Sequence, residues 1–118
     1  MQISELGEFA LIDRLTKDVK LHHGSTVKGI GDDCAIVDTT QSAGRALLTS
    51  DLLLEGIHFD LVYTPMQHLG YKAAMVNISD VYAMGGTPRQ MLVSVAVDRR
   101  ITVEALDDFY AGLRLACE

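Results

Sequence analysis

The 118-residue chain weighs 12.9 kDa and carries 10 basic against 16 acidic residues, a net charge of −6 at pH 7, which is one domain's worth of protein. Its 48% hydrophobic and 22% charged residues argue against a disordered tail or a low-complexity array, and its scattered Lys and Arg argue against a nucleic-acid sleeve or an anionic membrane surface. No apolar run reaches the roughly 18 residues of a bilayer span and Met1 to Glu5 lacks a basic-then-apolar leader pattern, so a cytoplasmic protein is expected.

The stretch Glu5 to Thr16 places Phe9, Leu11, Ile12 and Leu15 at helical spacing and predicts a first helix, with Ser4 as a partial cap. Polar residues through His22-His23-Gly24-Ser25-Thr26 predict a loop. Cys34-Ala35-Ile36-Val37 is a short β-prone run that stops at Asp38. After a turn around Ser42-Ala43-Gly44, the run Arg45 to Leu54 suits the second strand of an antiparallel hairpin, since Thr49-Ser50-Asp51 in its middle disfavours helix. A helix from near Pro65 through Leu69 to Met84 should stop at Gly85-Gly86. Met91, Val93, Val95 and Val97 alternate within a strand from Arg89 to Val97. Thr102 is the expected cap of a last helix with Leu106, Phe109, Tyr110 and Leu113 at core spacing.

No repeat or Pro/Gly/Ser-rich linker divides the chain, so residues 1–118 read as a single domain. The order helix, strand, strand, helix, strand, helix predicts an α+β fold, a mainly antiparallel sheet covered by helices. So small a sheet leaves an edge or face to cover, and self-association is expected. Cys34 and Cys117 form no CxxC pair, which leaves reduced, buried thiols rather than a zinc or redox site.

Three polar segments could carry chemistry. Gly29-Ile30-Gly31-Asp32-Asp33 combines glycines that let backbone approach a ligand with hard carboxylate oxygens suited to magnesium; a plain Gly-Asp turn before a strand is the competing account. It is neither a dinucleotide fingerprint nor a Gly-Lys-Ser/Thr phosphate loop. Thr49-Ser50-Asp51 interrupts a leucine-rich run, either as a cation site or as an exposed strand end. Asp80 lies near the C-terminus of its helix, where the helix dipole disfavours a carboxylate; with Asn77 it forms a polar island that either a cation or solvent would satisfy. His22, His23 and His68 lack ligand spacing and are assigned no role. His58 could present a donor to an anionic substrate or be structural.

Taken together, Gly7-Glu8-Phe9-Ala10-Leu11-Ile12, Gly29-Ile30-Gly31-Asp32-Asp33-Cys34-Ala35, Thr49-Ser50-Asp51 with Glu55-Gly56-Ile57-His58-Phe59, and Tyr71 to Asp80 ending at Ala83-Met84-Gly85 resemble the N-terminal part of the thiamine-monophosphate kinase family. The resemblance runs in order over nearly the whole chain. It implies the N-terminal domain of the aminoimidazole ribonucleotide synthetase-like fold, whose sheets pair into a barrel across a homodimer. It also implies transfer of the γ-phosphoryl group of ATP to thiamine monophosphate, with several Mg2+ ions holding the nucleotide. Matched residue by residue, Asp33, Thr49, Ser50, Asp51 and Asp80 fall on metal-site positions and His58 on a substrate-contacting position, with Asp32 as a neighbour of the metal site.

The chain stops at Ala116-Cys117-Glu118, before the family's Gly-Gly-Asp-Thr segment and its C-terminal domain. The resemblance therefore implies a domain that is inactive alone. The competing readings are a non-catalytic dimerisation and metal or nucleotide-binding module, and another enzyme of the same superfamily, such as aminoimidazole ribonucleotide synthetase or selenophosphate synthetase.

Overall fold

The computed structural model describes residues 1–31, 35–40, 44–55 and 64–118. In chain order it contains helices α1 (Ile3–Leu6) and α2 (Glu8–Thr16), strands β1 (Thr26–Lys28) and β2 (Ile36–Val37), and helices α3 (Met66–Ala83) and α4 (Val103–Cys117). β1 and β2 pair antiparallel, Thr26 opposite Val37 and Lys28 opposite Ile36, with an irregularity between the two pairs. The class is α+β, as the order of elements predicts.

α3 carries its own start and stop signals and α4 its own start. α3 begins after Pro65, whose carbonyl accepts the Leu69 N–H at 3.0 Å. It ends where Gly85 takes a φ of +78°, so that the Gly85 N–H reaches the Tyr82 carbonyl and the Gly86 N–H the Val81 carbonyl, both at 3.0 Å. This doubled closure satisfies carbonyls that a helix end leaves open, and glycine adopts the required left-handed turn at no side-chain cost. At the start of α4 the Thr102 hydroxyl accepts the Ala105 N–H at 3.1 Å, the cap expected from the sequence. The Val103 N–H donates to the Met1 carbonyl at 3.1 Å, which satisfies a further first-turn donor.

The core is the α3–α4 pair. Leu69, Ala74, Val103, Leu106 and Leu113 are its buried apolar residues, and Gly70 and Gly112 sit where the two backbones meet. α2 is tied to this pair by charge: Arg14 donates to both carboxylate oxygens of Asp107, the shortest contact 2.6 Å, and Arg114 pairs with Asp18 at 3.1 Å.

Several expectations need correction. The first helix does not run unbroken from Glu5 to Thr16; Gly7, at φ +85°, divides it into α1 and α2, and Gln2 rather than Ser4 precedes the first turn. Phe9 is 80% exposed, because only the Leu11 and Leu15 side of α2 turns inward. β2 pairs with β1 and not with the 45–54 run. Neither 45–54 nor 89–97 forms a strand. Alternation selects which side chains a strand would bury, but only a hydrogen-bonding partner makes the strand. The apolar side chains of these runs lie open instead, Leu48 at 95% and Leu92 at 90% exposure. Cys117 is exposed rather than buried, and Cys34 lies outside the described residues.

Candidate functional site

Thr49, Ser50 and Asp51 all lie exposed in an irregular segment. Just ahead of them the Leu47 side chain, 44% exposed, reaches the backbone at Gly86, its Cδ1 lying 2.6 Å from where a Cβ on Gly86 would stand. A side chain at Gly86 would displace it, so the bare backbone after α3 is the seat that Leu47 occupies. Thr49 therefore follows, by two residues, a leucine docked at the C-terminal end of α3, and Asp80 lies on the last turns of that same helix. Sequence reasoning missed Leu47, since one leucine in a leucine-rich run carries no signal that distinguishes it.

Asp80 is exposed at the negative end of the α3 dipole. One turn earlier the Asn77 amide Nδ2 donates to the Ala73 carbonyl at 2.9 Å, while its Oδ1 is buried with no hydrogen-bond partner. A buried acceptor left unmatched costs on the order of 1–3 kcal/mol. Asn77 and Asp80, three residues apart on one helix, lie on neighbouring positions of the same face. Neither Asp51 nor Asp80 has an ion-pair partner among the described residues, so both carboxylates stay available to an incoming cation.

Asp33 and His58, together with Asp32, lie outside the described residues. Among the described residues no three His, Cys, Asp or Glu side chains converge as a metal cluster. Thr49, Ser50, Asp51 and Asp80 each expose an oxygen donor of the kind a hard divalent ion takes. Gly31, just before the acidic pair, has a φ of +126°, a conformation that an L side chain rarely adopts.

Residues 31–118 match the family described as AIR synthase related protein, N-terminal domain. Among curated proteins, the chain is 42% identical over all of its 118 residues to a thiamine-monophosphate kinase of Aquifex aeolicus, covering 36% of that protein. It is 40% identical over 108 residues, 92% of the chain, to a thiamine-monophosphate kinase of Bacillus subtilis, covering 33% of it. It is 40% identical over 114 residues, 94% of the chain, to one of Synechococcus elongatus, covering 32% of it. The chain thus spans about a third of the length of these relatives. No solved structure matches it.

Proposed function

The chain belongs to the AIR synthase related protein N-terminal domain family, and from that premise we propose that it is the N-terminal domain of a kinase that transfers the γ-phosphoryl group of ATP to thiamine monophosphate, giving thiamine diphosphate. The observation that carries this reading is the similarity, over the full length of the chain, to relatives named thiamine-monophosphate kinase. The accessible oxygen donors at Thr49, Ser50, Asp51 and Asp80 agree with it.

In this reading Asp33, Thr49, Ser50, Asp51 and Asp80 hold Mg2+, and His58 contacts the substrate. Bound Mg2+ supplies charge neutralisation across the phosphates. The carboxylates of Asp33, Asp51 and Asp80 set the negative charge that attracts the ions, while the Thr49 and Ser50 hydroxyls add neutral oxygens that fix their positions. A phosphate oxygen of thiamine monophosphate attacks the γ-phosphorus in line. The new O–P bond forms as the bond to the β-phosphate oxygen breaks, releasing ADP. The attacking phosphate monoester is already largely ionised at neutral pH, so no side chain is needed as a general base and no phosphoenzyme forms.

The reading extends to assembly. Two copies pair their open apolar segments, 45–54 and 89–97, into a barrel across a homodimer; the exposure of Leu48, Leu52, Leu92 and Val95 supports this. The working compartment is the cytoplasm. No helix among the described residues is long and apolar enough to cross a membrane. Residues 1–118, which span about a third of the length of these relatives, do not turn over alone in this reading.

The test is an assay of ATP-dependent conversion of thiamine monophosphate to the diphosphate by the complete protein carrying this domain, wild type beside Asp51→Asn and Asp80→Asn. Large losses in both variants are expected, with circular dichroism unchanged. Near-normal turnover in either variant removes that residue from the metal site. Absence of any thiamine-phosphate turnover by the wild-type protein, with magnesium-dependent nucleotide binding retained, replaces the kinase by a non-catalytic binding module.

A further inference from the structure

We draw no further inference here: the strongest candidate, the groove of about 440 Å³ between the end of α2 and α4 lined by Arg14, Lys17, Asp18, Asp107, Tyr110 and Arg114, has its guanidinium and carboxylate groups spent on one another, Arg14 with Asp107 and Arg114 with Asp18, and nothing in the structure shows what would enter it.

Discussion

Gly70 on α3 and Gly112 on α4 each lie against the backbone of the opposite helix: a Cβ on Gly70 would overlap the Phe109 carbonyl oxygen, and a Cβ on Gly112 would overlap the Gln67 carbonyl oxygen. The obstacle in both cases is main chain, which cannot rotate aside as a side chain could. The two helices can approach this closely only because neither position has a side chain.

Alanine at either position should therefore destabilise the chain despite being the better helix former. The gain in propensity is about 1 kcal/mol, whereas forcing extra atoms into a packed contact costs typically 1–3 kcal/mol and sometimes more. Here the clash wins, because relief requires the helices to move apart and loosens the buried Leu69, Leu106 and Leu113. Urea unfolding of Gly70→Ala and Gly112→Ala should show lower midpoints, and the double variant should lose less than the sum of the two. Once the helices have separated for one methyl group, the second finds room. Additive losses would mean that the two glycines act at separate contacts.

A second prediction contrasts leucines that the sequence alone does not distinguish. Leu106 is 2% exposed and Leu48 95%. Leu106→Ala should cost about 2–5 kcal/mol through the cavity it leaves, while Leu48→Ser should alter monomer stability by roughly 0.5 kcal/mol or less. If the open segments pair between copies, Leu48→Ser will instead raise the concentration needed for dimerisation. Sedimentation at several concentrations separates that effect from unfolding.

Burial pushes the Tyr110 hydroxyl above its ordinary titration range, and its ring meets Phe109 edge to face with centroids 5.9 Å apart. The neutral phenol is the form that the fold prefers. Its contribution is complete below about pH 10, the unfolded value, and is lost as pH rises through the higher folded value. Thermal melts from pH 8 to 11 should therefore fall more steeply for the wild type than for Tyr110→Phe. Parallel curves would show that the hydroxyl titrates alike in both states.

How much was legible in the sequence depends on where the information sits. The long helices announced themselves locally: Pro65, Gly85-Gly86 and Thr102 each act within five residues, through hydrogen bonds that the chain makes to itself. The strands did not, since Val93, Val95 and Val97 alternate correctly yet form no strand with any of the described residues. A ladder is a property of two segments, and the partner cannot be read from one. Among the candidate site residues, Asp51 and Asp80 were legible because a carboxylate in an apolar run or at a helix C-terminus needs an explanation. Leu47 was not, because its role arises from what the fold sets beside it.

Leu47 is the sharpest test of how the chain arms the proposed metal site. It touches no reacting group; it seats the segment bearing Thr49, Ser50 and Asp51 on the glycine-closed end of α3. Shortening it should release that segment while leaving every oxygen donor in the sequence. Leu47→Ala in the complete protein is accordingly expected to raise the Mg2+ concentration needed for half-maximal nucleotide binding, with little change in the helical circular dichroism that α3 and α4 dominate. Leu47→Met, which keeps the volume and reaches the same seat, should restore the wild-type Mg2+ dependence. A general loss of stability would lower the melting temperature of both variants and shift the Mg2+ midpoint of neither. Unchanged Mg2+ dependence in Leu47→Ala would mean that the contact at Gly86 does not position the proposed donors.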